Sequence, residues 1–342
     1  MSNMTDTSSR FQTDTWDTGR MVRPHHRDLP MRVGTRCSPL ALWQTREFIA
    51  QASRFCPVLH GQSMFEETQI ATSGDIIQSR RLAEIGGKGL FAKEIHEALL
   101  DGRVDMAVHS LKDLETEMPP GIVLACVLKR EDPRDALVLG AGMENAVDPQ
   151  DPLASLPQGA LIGTCSVRRQ AQLLAARPDL RIGMLRGNVQ TRLSRVHDGH
   201  IAGTLLAIAG LNRLGLEREA DIILDESVMV PAACQGIIGI TCREDDGEMM
   251  ELLGAIGDIP SRHAADAERA LLHAVDGNCR TPVGAHAVLL GDGRMRITGL
   301  IARADGSFVL RRTVEGSVKD GPRMGRALGE ELLIDSPADV LA

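Results

Sequence analysis

The sequence is poor in the aromatic side chains on which several binding classes depend. Its 342 residues include no Tyr, two Trp and six Phe, so aromatic residues make up 2% of the chain. Stacking platforms for single-stranded nucleic acid need more aromatic surface than this. The net charge of −8 also argues against general affinity for nucleic acid. We therefore expect no nucleic-acid partner.

The cysteines also lack the spacing of a structural framework. There are seven, widely separated and without a CxxC pair, which argues against disulfides and a zinc site and favours a reducing compartment. No apolar run has the length of a membrane span, and the N-terminus has no apolar signal-peptide core. We expect a cytoplasmic protein without a bound metal or a membrane partner. Residues 1–30, rich in Ser, Thr and Asp, are predicted to be a disordered tail.

Arginine, in contrast, is abundant, because only five of the 38 basic residues are lysines. Genomic base composition is one explanation of this bias. Arginine is also the side chain that binds carboxylates through two parallel hydrogen bonds. The positions of the arginines must therefore decide whether they form a site.

The apolar pattern alternates between strands and helices over the first two-thirds of the chain, which predicts an α/β fold with largely parallel sheets. The predicted strands there are Met31–Thr35, Phe65–Ala71, Val104–His109, Ile122–Leu128, Leu161–Thr164, Arg181–Leu185, Thr204–Ala209 and Gly236–Cys242. The segment Glu131–Asp135 breaks the pattern and is predicted to be a hinge or crossover. The remainder, with three further strands and a final helix, is predicted to be a small α+β domain.

Polar side chains follow the predicted strands where each strand ends, which is where ligands bind in such folds. Six arginines at these ends could form one site for a polycarboxylate or phosphate, namely Arg36, Arg168, Arg169, Arg186, Arg192 and Arg213. Taken singly, each is an ordinary surface residue. Asp113 could cap a turn, or it could face a cation that a reaction creates among these arginines.

One cysteine, Cys279, lies in the turn DGNCRTPVG, where Gly277 and Asn278 favour a loop. A loop thiol beside Arg280 can serve as a nucleophile or an attachment point. An inert, buried thiol is the commoner case. The local sequence leaves both interpretations open.

Taken together, these motifs resemble the porphobilinogen deaminase family, also called hydroxymethylbilane synthase. The similarity runs from Arg32 to near the C-terminus through TRCSPLALWQ, GGKGLFAKEIHEALL, DMAVHSLKDLE, REDPRDAL, GTCSVRRQAQL, LRGNVQTRL, AIAGLNRLGL and GNCRTPVGA. The resemblance implies two periplasmic-binding-protein-like lobes with mixed, mainly parallel sheets and a small C-terminal α+β domain. The implied boundaries are 31–130 with 236–256 for domain 1, 131–235 for domain 2 and 257–342 for domain 3.

The resemblance also implies an activity, the stepwise head-to-tail condensation of four porphobilinogen molecules into hydroxymethylbilane with release of ammonia. It implies one dipyrromethane cofactor per chain, attached to Cys279 through a thioether, and a monomeric enzyme of tetrapyrrole biosynthesis. Asp113 matches the catalytic aspartate. Cofactor-binding positions are matched by Ser110, Lys112, Asp113, Thr164, Ser166, Arg168, Arg169, Arg186, Gly187 and Gln235, and substrate-binding positions by Arg36, Gln44, Lys88, Arg186, Arg192 and Arg213.

Three residues depart from the family pattern. Cys165, Cys234 and Ala264 stand where the resemblance leads us to expect Ser, Gly and Arg. A two-lobed binding protein for a small anion is the non-enzymatic alternative, but it would need a signal peptide and would not explain Cys279 and Asp113. An inactive paralogue is the other alternative, and the presence of Cys279 and Asp113 argues against it.

Overall fold

The computed structural model describes residues 29–55, 64–76, 89–141, 148, 151–277 and 281–341, so Lys88, Cys279 and the first 28 residues lie outside the described part. Its strands are Met31–Thr35 (β1), Phe65–Gln69 (β2), Met106–Ser110 (β3), Ile122–Val127 (β4), Asp135–Leu139 (β5), Leu161–Gly163 (β6), Arg181–Gly183 (β7), Gly203–Ala207 (β8), Ile222–Ile223 (β9), Ile238–Arg243 (β10), Val283–Gly291 (β11), Arg294–Ala302 (β12) and Val309–Ser317 (β13). Its helices are Pro39–Phe55 (α1), Ser73–Ile76 (α2), Lys93–Leu100 (α3), Val167–Ala176 (α4), Val189–His197 (α5), Ile208–Arg213 (α6), Gly247–Ile256 (α7), Ile259–Ala274 (α8) and Gly321–Ile334 (α9). Across these described ranges, no helix combines the length and apolar character needed to cross a bilayer.

Two five-stranded sheets share one pattern of strand directions. The first has the order β2-β1-β3-β10-β4, and the second has the order β7-β6-β8-β5-β9. In the first sheet β10 runs antiparallel to both neighbours, and in the second sheet β5 does the same, while the other strands of each sheet share one direction. The predicted α/β architecture with mixed, mainly parallel sheets is therefore confirmed.

The C-terminal part is a third sheet, antiparallel in the order β11-β12-β13, packed against α8 and α9. Its core contains Leu271 of α8, Ile297 of β12 and Leu328 and Leu332 of α9, all of them buried. The helices place apolar side chains at three- and four-residue spacing, so that one face covers the sheet. This arrangement confirms the predicted small α+β unit.

The chain passes from the first sheet to the second between β4 and β5 and returns between β9 and β10. The two crossing segments touch, because the Glu131 amide donates to the Gly236 carbonyl at 3.1 Å. Gly236 has a φ of +87°, and a Cβ there would collide with the carbonyl of Glu131. Only glycine combines this backbone conformation with so close an approach.

A buried carboxylate joins both crossing segments to the C-terminal unit. Glu268 of α8 accepts hydrogen bonds from the Arg130 guanidinium at 2.5 Å, the Cys234 amide at 2.5 Å and the Ala287 amide at 2.6 Å. Arg130 lies in the first crossing segment, Cys234 lies in the second and Ala287 is on β11. Because its partners are all in place, the buried charge is compensated and the three regions are held in register.

Several predicted strands end early, and in one of them this moves a predicted site residue. The strand expected over Thr204–Ala209 stops at Ala207, and the chain turns into α6. The Ile208 amide donates to the Arg134 carbonyl in the crossing segment, at 3.1 Å, which draws the chain away from the sheet. Arg213 therefore lies at the end of a helix and not at the end of a strand.

Candidate active site

A cavity of about 560 Å³ opens where the first and second sheets present their polar ends. Its walls come from the end of β1, the turn after β3, the first turns of α4 and α5, and the segment before β11. The structure brings most of the predicted site residues to this cavity: Arg36, Gln44, Ser110, Lys112, Asp113, Ser166, Arg168, Arg169, Arg186, Gly187, Arg192 and Gln235. The carboxyl ends of parallel strands meet at one edge of a sheet, which explains why residues so distant in sequence converge.

Asp113 ends a short 3₁₀ turn, Leu111–Asp113, directly after β3. Its carboxylate lies 3.6 Å from the Arg36 guanidinium, and its side chain is 28% exposed, so one face remains open to the cavity. Arg36 also forms a two-pronged pair with Asp75, at 2.5 and 3.2 Å, and stacks over the Phe91 ring at 4.3 Å. Burial lowers the pKa of Arg36, but the hydrogen bond to Asp75 and the charge of Asp113 outweigh this, so its pKa is raised.

Asp75 was not among the predicted site residues. It lies in α2, shortly after β2, so its position after a strand was the available signal. Burial acts to raise the pKa of the Asp75 carboxyl, but the Arg36 guanidinium holds that pKa below its usual range. Asp75 and Asp113 thus approach one guanidinium, which keeps Arg36 at the cavity wall.

Arg168 and Arg169, in the first turn of α4, are buried and share a single carboxylate. The Asp135 side chain accepts from Arg168 at 2.7 Å and from Arg169 at 2.6 Å. Their other terminal nitrogens donate to the carbonyls of Val230 and Leu205. Two cations and one anion leave a net positive charge at this wall. The pairing was missed in the sequence because β5 begins inside the segment that was predicted to be a hinge.

Lys112 extends this cationic wall. Its ammonium group donates to Gln235 Oε1 at 3.1 Å, and Gln235 in turn donates to Asp135 at 2.8 Å. Burial lowers the pKa of Lys112 to about 8; the nearby Asp113 carboxylate opposes the shift, and the guanidinium groups of Arg168 and Arg169 add to it. The Lys112 ammonium group is therefore charged at neutral pH but loses its proton at only slightly higher pH.

Arg186 and Arg192 are further basic residues that line the cavity. Arg186 follows β7 and donates to the Gly74 carbonyl of α2 at 3.3 Å, so it links the two lobes. Arg192 donates through Nε to the Gly187 carbonyl at 3.0 Å, and burial lowers its pKa to about 10. Gly187 has a φ of +113°, a conformation that brings its carbonyl toward α5 and that side-chain-bearing residues rarely adopt.

The smaller polar residues hold these charged groups in place. Gln44 of α1 and Ser110 of β3 hydrogen-bond through their side chains at 3.0 Å. Ser166 caps α4 by accepting from the Arg169 amide at 3.4 Å. Thr164 lies behind it and accepts from the Ser166 amide at 3.1 Å.

Arg213 is placed differently from the other predicted arginines. It lines a second, shallower pocket with Trp43, Arg46 and Glu47, and its guanidinium lies 5.9 Å from the Trp43 ring centroid. It donates to the Gly236 carbonyl at 2.6 Å and so holds the second crossing segment. The interpretation that all six arginines lie at strand ends around one cleft is therefore wrong for Arg213.

The described cysteines separate into two groups. Cys37 is exposed and Cys165 half-buried, and both line the cavity, whereas Cys126, Cys234 and Cys242 are buried. Burial raises the pKa of the Cys126 and Cys234 thiols to about 12. Cys234 also has a φ of 62°, the region that glycine occupies without strain.

Cys279 lies outside the described residues, as do residues 278 and 280, but the residues that flank this segment are described. Gly277 and Thr281, on either side of the segment 278–280, both line the cavity. The backbone therefore reaches the cavity wall just before and just after this cysteine.

One buried hydrogen-bond donor indicates which kind of ligand suits the cavity. The Arg169 Nε–H is buried and has no hydrogen-bond partner among the described residues. A buried N–H without an acceptor is unfavourable, so a ligand oxygen is the natural partner. With Arg186, Arg192 and Lys112 on the same cavity, the arrangement suits a ligand with several carboxylates.

Comparison with known proteins agrees with this chemistry. Residues 31–251 match the family model described as "Porphobilinogen deaminase, dipyromethane cofactor binding domain", and residues 263–334 match "Porphobilinogen deaminase, C-terminal domain". The porphobilinogen deaminase of Geobacter metallireducens is 43% identical over 312 residues, covering 91% of this chain and 94% of that protein. Those of Sorangium cellulosum and Paracoccus denitrificans are each 45% identical, covering 88% and 91% of this chain and 98% and 96% of theirs.

Similarity to solved structures is low. The periplasmic VFT2 domain of Bordetella pertussis BvgS overlaps with a TM-score of 0.36 and 14% identity, covering 66% of this chain and 86% of that one. A periplasmic binding protein of Salmonella typhimurium gives a TM-score of 0.36 and 13% identity, covering 66% and 90%. Similarity at this level carries no argument about the site.

Proposed function

The chain belongs to the porphobilinogen deaminase family, and from this premise we propose that it joins four porphobilinogen molecules head to tail into hydroxymethylbilane, with release of ammonia, for tetrapyrrole biosynthesis. The observation that carries the proposal is the placement of the partly exposed Asp113 carboxylate in a cavity lined by arginines. The arginines suit a substrate with acidic side chains, and the carboxylate suits a positive charge that develops during reaction.

We propose that a dipyrromethane group is attached to Cys279 through a thioether, one per chain. When bound, that group supplies the pyrrole carbon to which the first substrate is joined. Its fit rests on the cavity position of Gly277 and Thr281 and on the unpartnered Arg169 Nε–H.

Asp113 is the proposed catalytic residue. Its open face can accept a hydrogen bond from a pyrrole N–H and stabilise the positive charge that grows as the amine leaves. Arg36, at 3.6 Å, orients the carboxylate without enclosing it. Arg36 is itself neutralised by Asp75, so the favourable field at the reacting carbon is preserved.

The remaining residues bind or orient the acidic chain. Arg186, Arg192 and Lys112 are proposed to bind carboxylates directly, whereas Arg168 and Arg169 are held by Asp135 and present a fixed positive wall. Supporting roles are proposed for Gln44, Ser110, Thr164, Ser166, Gly187 and Gln235, and substrate contacts for Arg36 and Lys88. Pre-organised groups of this kind need little rearrangement as the chain grows.

The organisation of the protein is proposed on the same premise. We expect a cytoplasmic monomer whose three domains have the boundaries given above, with the crossing segments as the hinge between domains 1 and 2. Nucleic acid and membranes are not expected partners of an acidic chain of this composition.

The test is the intact mass of the purified protein under denaturing conditions. The protein should be heavier than its sequence by one two-pyrrole unit, and peptide mapping should place the addition on Cys279. Cys279→Ser should remove both the addition and the formation of hydroxymethylbilane from porphobilinogen. Cys37→Ser and Cys165→Ser, which alter the cavity thiols, are the matched controls and should keep the addition. An unmodified Cys279 in a fully active preparation would overturn the proposal.

A further inference from the structure

The short helix α2 contacts one cavity arginine from each lobe. Its Asp75 side chain binds the Arg36 guanidinium at 2.5 and 3.2 Å, and Arg36 lies 3.6 Å from the Asp113 carboxylate. Its Gly74 carbonyl accepts a hydrogen bond from Arg186 of the second lobe at 3.3 Å. The position of this one helical turn therefore affects both guanidinium groups.

A turn of four residues needs support from its neighbours, because a single helical turn has too few hydrogen bonds to offset the ordering of its backbone. The segment that leads into α3 supplies part of this support. The Gly74 amide donates to the Leu90 carbonyl at 2.9 Å, and a Cβ on Gly74 would collide with the Phe91 ring. The same ring lies 4.3 Å from the Arg36 guanidinium, so α2 and Arg36 pack against one surface.

Glu94, in the first turn of α3, supplies the charged part of the support. Its Oε1 accepts hydrogen bonds from the Ser73 amide, at 2.9 Å, and from the Ser73 hydroxyl. Burial acts to raise the pKa of the Glu94 carboxyl, but the hydrogen bonds from Ser73 outweigh this, so its pKa is lowered. An anion is favourable at this end of α2, because the first amides of a helix carry partial positive charge.

The other carboxylate oxygen of Glu94 argues against a role in packing alone. Oε2 is buried and has no hydrogen-bond partner among the described residues. A buried polar atom without a partner is unfavourable, so an apolar side chain would fill this space at lower free energy. What Glu94 adds, and an apolar residue could not, is the pair of hydrogen bonds to Ser73.

We propose that Glu94 is a positioning residue of the active site. Through Ser73 it fixes α2, and α2 in turn holds Arg36 and Arg186 at the cavity. The inference rests on the proposed function for its effect on turnover. The position of Arg36, in contrast, can be measured in a protein that is not turning over.

The kinetic test compares Glu94→Ala with Glu97→Ala. Glu97 is exposed on the same helix and pairs only weakly with Lys93, at 4.0 Å, so this matched control should keep the native kcat and KM. Glu94→Ala should lower kcat/KM for hydroxymethylbilane formation by about tenfold or more, because a small displacement of Arg36 disturbs substrate binding and the Asp113 carboxylate together. A loss of stability with native kcat and KM in the folded enzyme would overturn the proposal.

Two further substitutions at the same position sharpen this test. Glu94→Gln keeps an oxygen that can accept from Ser73 and should recover most of the lost kcat/KM. Glu94→Asp is one methylene shorter and cannot reach Ser73 in the same geometry, so it should show the loss even where Glu94→Ala does not fold. Equal kcat/KM in Glu94→Gln and Glu94→Asp would contradict a role that acts through Ser73.

A double variant tests whether the effect passes through α2. Asp75→Asn weakens the contact between α2 and Arg36, so adding Glu94→Ala to it should lower kcat/KM by less than about threefold further. Losses that multiply in the double variant would show that Glu94 acts by another route, and the proposal would fall.

The structural test uses protein labelled with ¹⁵N-arginine and follows the Nε–H resonance of Arg36, which is assigned by its absence in Arg36→Lys. Because this Nε donates to Asp75 at 3.2 Å, its resonance should shift in Glu94→Ala and stay unchanged in Glu97→Ala. If it shifts in a protein that makes no hydroxymethylbilane, the positioning role stands and the proposed function falls. An unmoved Arg36 resonance in Glu94→Ala would overturn the positioning role.

Discussion

Replacing Asp135 by Asn should destabilise the protein severely while leaving the size of the side chain unchanged. Asp135 is fully buried and lies 2.7 Å from Arg168 and 2.6 Å from Arg169. An amide oxygen can still accept a hydrogen bond, but it cannot compensate two buried guanidinium charges. Removing one partner of a buried ion pair costs about 3–5 kcal/mol, and we expect a loss of stability in this range.

The pH dependence of this loss follows from the carboxyl pKa. Burial acts to raise the pKa of Asp135, but Arg168 and Arg169 hold it well below its usual range. A carboxyl whose folded pKa lies below its unfolded pKa stabilises the protein above the unfolded value of about 3.9 and loses that contribution as pH falls through the folded pKa. The difference between native protein and Asp135→Asn should therefore be constant from about pH 5 to 8 and shrink only in strong acid.

The matched control is the pair between Asp335 and Arg312, whose distance is 2.5 Å but whose side chains are 45% and 44% exposed. Asp335→Asn should change stability by about 0–1 kcal/mol, because water screens an exposed pair. Urea unfolding followed by circular dichroism at pH 7 measures both variants. Equal losses in the two variants would refute the reasoning, since only burial distinguishes the pairs.

Three further outcomes are expected. Asp113→Asn should lower kcat by about a hundredfold or more while the mass addition on Cys279 is retained, and near-normal turnover would exclude the assigned role. Because the Lys112 ammonium loses its proton as pH rises through about 8, kcat/KM should fall above that pH. In Lys112→Arg, whose guanidinium stays charged, the fall of kcat/KM should move to higher pH. If the fall stays at the same pH in Lys112→Arg, another group causes it. Gly236→Ala should lower the free energy of unfolding by more than about 1–2 kcal/mol, because a Cβ there collides with the Glu131 carbonyl. Gly254→Ala, within α7 and with open space around the added Cβ, should raise the free energy of unfolding by about 0.5–1 kcal/mol. Similar effects of the two substitutions would contradict the proposed backbone clash.

Much of the fold followed from short-range pattern. The strand Met31–Thr35 and the helix Val167–Ala176 have the predicted bounds, because apolar alternation and a Ser cap are local properties of the chain. The strand β5 was missed, since it begins at Asp135, at the end of a run of charged residues with Pro133 that favours a turn. Local propensity could not show that this carboxylate would be neutralised by two distant guanidinium groups.

The sequence by itself determined the family, the order of the elements and the residue types that the chemistry needs. It did not determine which arginines lie together, because that depends on where each segment ends in space. Arg186 and Arg192 line the cavity, whereas Arg213, at the end of α6, lines a separate pocket with Trp43. Nor could it pair Asp75 with Arg36. That pair forms only when α2 packs beside the end of β1, and electrostatic interactions depend on distance and burial, which the tertiary structure alone sets.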